Sequence, residues 1–203
     1  LDILHTGNFP QTGSDSKIMK TSIRRSVPGV LAIAALLLVK PLYAADLADL
    51  LNYRAYSETL SSSGQPSEKQ LRAVSQRGFE RVIYLALSDH ERALEHEDRV
   101  VTSLGMDYLH IPIVWAAPSR ADFDAFVAIM QSAPEKKTLV HCALNFRASS
   151  LIFLYRVLYL EVPQDEALED LQGVWSPNAT WRAFIFATLE DHGVSPHCDA
   201  CLW

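Results

Sequence analysis

His141-Cys142-Ala143-Leu144-Asn145-Phe146-Arg147-Ala148-Ser149 is the stretch from which the fold can be worked out. Residues 138–141 (TLVH) before it are a short run of β-formers. Residues 147–160 (RASSLIFLYRVLYL) after it are apolar on nearly every side, as in a helix buried in the middle of a domain. A strand that turns directly into a helix points unpaired backbone N–H groups and the positive end of the helix dipole into one small space. An anion fits there. A cysteine at the start of such a loop has its thiolate favoured by the same field, and an arginine in the first helical turn grips two oxygens of a tetrahedral oxyanion. Keeping a thiol ionised three pH units below its ordinary range takes about 4 kcal/mol. A helix end supplies at most ~2 kcal/mol, so the loop amides and Arg147 must provide the rest.

Working outward, residues 81–87 (RVIYLAL) and 108–113 read as two further strands. Helical patterns lie between them. Ser67, Leu71 and Val74, closed by Gly78, form one capped helix. Residues 90–104, closed by Gly105, read as a polar surface helix. Residues 119–130 open with a capping-box pattern, Ser119 to Asp122, and align Phe123, Phe126, Val127 and Met130 on one face. Residues 163–171 and 178–191 complete the set. Alternating strand and helix predicts an α/β fold, with a mostly parallel central sheet flanked by helices. Ligands in such sheets bind beyond the carboxyl ends of the strands, where His141 and Cys142 stand.

The first Met of the 203-residue chain is Met19. Lys20, Arg24 and Arg25 with the apolar residues 30–39 and Leu42-Tyr43-Ala44 read as a signal peptide, residues 19–44, cleaved after Ala44. Residues 1–18 read as a disordered upstream extension, and residues 45–203 as one domain that is periplasmic or secreted, with no stable membrane span once the signal is removed. That part carries 13 Lys/Arg against 22 Asp/Glu, a net charge of −9, which excludes a nucleic-acid-binding surface built from clustered cations. Of the three cysteines, Cys198 and Cys201 can bridge in an oxidising compartment. His197 beside them admits a metal reading, but three ligands on a tail close no site. Cys142 is left as a free thiol.

The loop resembles the signature of the cysteine-dependent protein tyrosine and dual-specificity phosphatases, whose usual pattern is His-Cys, five residues, then Arg. Here four residues separate Cys142 from Arg147. That spacing resembles a bacterial branch related to the phosphatase domain of beta-lactamase-hydrolase-like proteins. The segment Leu60-Ser61-Ser62-Ser63-Gly64-Gln65-Pro66-Ser67, then Gln70-Leu71, Gly78-Phe79 and Val82-Ile83-Tyr84-Leu85, is similar to that branch, as is His110-Ile111-Pro112-Ile113. The resemblance implies a dual-specificity-phosphatase-like fold and a phosphocysteine mechanism with no metal or organic cofactor. It makes Cys142 the nucleophile and Arg147 the phosphoryl ligand. The amides of Ala143, Leu144, Asn145, Phe146 and Arg147 form the cradle. His141 orients the loop through a backbone contact, and Ser149 assists release of the thiolate. The substrate it implies is a phosphorylated small molecule or protein.

Two departures stand out. Asn145 occupies a place the family usually gives to Gly, and Asn is the residue that best replaces Gly in a left-handed conformation. The loop Val114-Trp115-Ala116-Ala117-Pro118 lacks the Asp that protonates the leaving group in relatives. General acid catalysis is worth about 10² to 10⁴ in rate, so aryl esters suffer less than alkyl esters. Two other readings follow: a silent oxyanion-binding module, or a rhodanese-like sulfurtransferase. Trp115, Trp175 and Trp181 are read as core residues, with Trp115 the one placed to face the cradle.

Overall fold

The computed structural model describes residues 47–203. The expected extension and signal peptide, residues 1–44, lie outside the described residues. Five strands, β1 (Arg54–Ala55), β2 (Leu60–Ser63), β3 (Arg81–Tyr84), β4 (Asp107–His110) and β5 (Thr138–His141), form one sheet in the order β1-β2-β5-β3-β4. All neighbours are parallel except β1, which pairs antiparallel with β2. The predicted mostly parallel sheet is therefore present, with two strands ahead of the three expected. Leu60–Ser63 was not read as a strand because three serines hide its burial. Each hydroxyl is paired inside the sheet's edge: Ser61 with the Tyr53 hydroxyl at 3.0 Å, Ser62 with the Tyr56 hydroxyl at 2.9 Å, and Ser63 donating to Gly64 O at 2.8 Å.

Side-chain alternation splits the core between the two faces of the sheet. Val82 and Leu139 point to one face, where they pack with Leu71 and Val74 of α1 (Glu68–Gln76) and Val101 of α2 (Glu97–Ser103). Ile83 and Val140 point to the other. There they meet α3 (Arg120–Ser132), α4 (Phe146–Tyr159), α5 (Gln164–Gln172) and α6 (Ala179–Asp191). Helix α4 is buried from Arg147 through Arg156. The expected capping box forms at Ser119 with Asp122, and the capped helix expected from Ser67 opens with a second box, to Gln70.

The polar helix expected over residues 90–104 is a correction. Helix starts only at Glu97, after His96 in a left-handed conformation (φ 55°), and residues 88–96 make turns. The polar residues Glu91, Arg92 and Glu95 offer no apolar stripe to dock. The first fully buried apolar residue of the segment is Val101, with Leu94 and Val100 half-buried against the same cluster, and helices this short depend on such packing.

At the amino ends of the strands, Arg81 is 2% exposed. Its guanidinium donates to Thr138 Oγ1 (2.9 Å), Ile129 O (2.8 Å) and Ala133 O (3.2 Å), satisfying carbonyls at the end of α3. Burial pulls its pKa below the usual arginine value.

At the carboxyl ends, β5 gives way to α4 through Asn145, whose φ of 73° and ψ of −2° are left-handed. Its Nδ2 donates to Asn52 O at 2.6 Å, and Asn52 Nδ2 donates to Leu144 O at 3.0 Å. Asn52 is itself left-handed, with φ of 50°. Behind the loop, Gln65 N–H donates to Ala143 O (3.2 Å). A Cβ on Gly64 would sit 3.0 Å from Ala143 O and from Leu51, a contact so tight that the neighbours would have to give way.

Replacing Arg81 by Met strands the Ile129 and Ala133 carbonyls and is expected to cost about 2–4 kcal/mol in urea unfolding; an unchanged midpoint would contradict that role. Asn145→Ala places a Cβ-bearing residue with no amide in a left-handed bend. It should lose about 2–3 kcal/mol, and Asn145→Gly only about 1, so equal losses in the two variants would count against conformation as the cause.

Candidate active site

Cys142 and Arg147 line one pocket of about 590 Å³ at the amino-terminal end of α4, together with Ala143, Leu144 and Phe146. Leu87, His90, Val114, Trp115 and Ala116 close it from the facing loops. Cys142 is the free cysteine of the described residues and is 1% exposed. Arg147, 6% exposed, donates from Nε to Ile113 O at 3.2 Å, and its guanidinium carbon lies 5.2 Å from the Trp115 ring centroid. A buried cation with no carboxylate partner among the described residues, held by one carbonyl and an aromatic face, is arranged to receive an anion.

The wall of the pocket is aromatic. Phe146 stacks on Trp175 at 4.6 Å with planes 9° apart, and Trp115 lies 5.5 Å from Trp175 and 5.3 Å from Trp181. Trp181 is fully buried and its Nε1 donates to Trp115 O at 3.0 Å, fixing the loop on which Trp115 stands. Trp181 thus fills the core, Trp115 and Trp175 pack half-buried against it, and Trp115 also faces the cradle.

Two residues from the sequence reading sit behind the loop and do not line the pocket. Ser149 is buried and donates to Phe146 O at 3.2 Å, the back-bond typical of a helical serine. His141 is fully buried, and here the expected backbone contact is corrected. Its Nε2 lies 3.0 Å from Glu97 Oε1, a pairing that brings the groups together without a well-aligned hydrogen bond. Glu97 is 4% exposed, and its other oxygen accepts from Gln65 Nε2 at 3.1 Å. The backbone alternative failed because His141 sits at the strand's end, where its ring joins a stack with Tyr84 (4.9 Å) that continues to His110 (5.0 Å). These three residues are register partners on β5, β3 and β4.

Glu97 and His90 were not singled out from sequence. Both sit in an acidic stretch, Asp89 to Asp98, where nothing in the pattern marks one carboxylate or imidazole above its neighbours. Neither Asp122 nor Asp124 lines the pocket. Asp122 caps α3 and Asp124 accepts from Arg120 Nε at 2.8 Å. Cys198 and Cys201 form a disulfide, and Asn178, which begins a glycosylation-like triplet, caps α6 through its side chain.

A family model described as a DSP-PTPase phosphatase fused to NAD+ kinase matches residues 34–177. No curated protein matches. Among solved structures, a DUF442 protein of Shewanella putrefaciens, described as a candidate phosphatase, is 30% identical, with a TM-score of 0.66 over 72% of this chain and 96% of its own. Tk-PTP in its active form is 22% identical (TM-score 0.57, covering 70% and 95%). TpbA of P. aeruginosa, as its C132S variant in complex with phosphotyrosine, is 18% identical (TM-score 0.56, covering 70% and 86%). The last two speak for the fold alone, whereas the matched family model spans most of the chain. By that match, and by the Shewanella relative, this chain belongs to the dual-specificity and protein tyrosine phosphatase family.

Proposed function

We propose that the protein is an exported cysteine-dependent phosphatase that hydrolyses an aryl phosphate monoester through a phosphocysteine. The observation that carries this reading is the meeting of Cys142 and Arg147 in one pocket at the start of a buried helix. Cys142 Sγ attacks phosphorus in line, and the S–P bond forms as the ester bond breaks. The amides of Ala143 to Arg147 and the two Nη groups of Arg147 hold the equatorial oxygens, whose charge they stabilise in the transition state. His141, backed by Glu97, positions the loop. Water then attacks the phosphocysteine, releasing phosphate and the thiolate.

The aromatic, largely apolar wall favours a flat ring on the leaving group, whether in a small molecule or in a protein. The phosphotyrosine held by TpbA is a ligand of that class. Export is supported by the signal-like residues 19–44 and by the Cys198–Cys201 bridge, which suits an oxidising compartment. A second reading, an oxyanion-binding module that does not turn over, is favoured by the absence of any carboxylate among the residues lining the pocket.

Hydrolysis of 4-nitrophenyl phosphate decides between the two. The wild type is expected to turn over, Cys142→Ser to fall by about 10³-fold or more, and Arg147→Lys by about 10²-fold, because a lysine cannot hold two oxygens at once. Vanadate binding that needs Arg147, in a protein that releases no nitrophenolate even in the first turnover, would instead establish the silent module. For export, mass spectrometry of the protein from the periplasmic or secreted fraction should find an amino terminus near Ala45, and an uncleaved cytosolic chain would refute it.

A further inference from the structure

The residues lining the pocket over Cys142 include no Asp or Glu to protonate a departing oxygen. Apart from Cys142 and Arg147, one lining side chain titrates: His90. It also lines an adjoining acidic hollow, so His90 stands where the two spaces meet.

The segment carrying His90 is tied at several points. Its N–H donates to Leu87 O at 3.1 Å, and its carbonyl accepts from Ala93 N–H at 2.8 Å. The Tyr84 hydroxyl donates to the same Leu87 O at 3.0 Å, and His110 Nε2 lies 2.7 Å from Ala86 O. Burial, with the Glu97 carboxylate second, pushes the Tyr84 phenol up to about 12, so its hydroxyl keeps its proton and its bond.

The ring is fixed as well. The backbone N–H of Arg92 donates to His90 Nδ1 at 3.1 Å. A nitrogen that accepts carries no hydrogen, so in this arrangement Nε2 carries it. The geometry therefore suits Nε2–H as a hydrogen-bond donor.

We infer that His90 Nε2–H donates a hydrogen bond to the leaving-group oxygen of the substrate ester, where relatives use a carboxylic acid. This deepens the phosphatase reading and rests on it. As the Sγ–P bond forms, the P–O(aryl) bond breaks and both its electrons stay with oxygen. The product departs as a phenolate bound to Nε2–H and takes its proton from water afterwards. The substrate class is correspondingly narrow: phosphate esters of phenols, whose own acidity lets them leave, rather than of serine, threonine or sugar hydroxyls.

The test is kcat/KM on the full chain for aryl phosphates from 2,4-dinitrophenyl to phenyl, in wild type, His90→Ala and His90→Gln, with vanadate affinity measured on each. His90→Ala should lose about tenfold on phenyl phosphate, the effect of one neutral hydrogen bond, and little on the dinitrophenyl ester. His90→Gln, which keeps an N–H but cannot titrate, should recover most of that loss, and vanadate affinity should be the same in all three. An equal loss across the series, or a glutamine variant as slow as the alanine one, overturns the inference. So does phosphoserine hydrolysis as fast as that of phenyl phosphate. Turnover that depends on Cys142 but is indifferent to His90 removes this inference alone. Turnover that survives Cys142→Ser, or no turnover of any ester by the wild type, removes the phosphatase reading with it.

Discussion

The left-handed bend at Asn145 is the constraint on which the site depends. A parallel strand and the helix that follows it must reverse direction across the sheet's edge, and here three residues separate Cys142 from the first helical residue, Phe146. So short a connection needs a residue at positive φ, and Asn145 supplies it at 73°. The same side chain reaches Asn52 O while Asn52 reaches Leu144 O, so the segment ahead of β1 and the loop after β5 lock each other. Glycine would allow the bend but could not make the lock. The shorter loop and the asparagine are thus two aspects of one solution.

What surrounds the bend holds it from below and behind. The stack of His110, Tyr84 and His141 runs across three strand ends and finishes at the residue before Cys142. Glu97, at the start of α2, meets the far edge of His141 and joins it to Gln65. Helix α2 therefore bears on the geometry of the loop although it contributes nothing to the pocket's lining. The carboxylate is buried, and removing one partner of a buried pair costs more than the pair contributes to stability.

How much of this was legible follows from where the signals lie. The strand Thr138–His141, the apolar helix after it and the capping box at Ser119 are patterns of neighbouring residues, and each was readable. The strand Leu60–Ser63 was not, because its burial depends on hydroxyl partners contributed by Tyr53 and Tyr56. The start of α2 was misplaced because residues 90–96 are polar enough for a surface helix, and their two apolar residues, Ala93 and Leu94, pack on the core from turns instead. Cys142 and Arg147 were found from spacing. Glu97 and His90 were missed because their places depend on contacts between segments that sequence order keeps apart. The pairing of His141 with Glu97, 44 positions away in the chain, leaves no local trace.

The aromatic wall has an optical consequence. Trp115, Trp175 and Trp181 are three of the protein's four tryptophans and lie within 6.4 Å of one another beside the pocket. Three of the four indoles therefore report on the pocket's edge, close enough to exchange excitation. A flat ligand arriving against Trp115 displaces water from that cluster and alters the light it emits, so occupancy can be followed in the unlabelled protein.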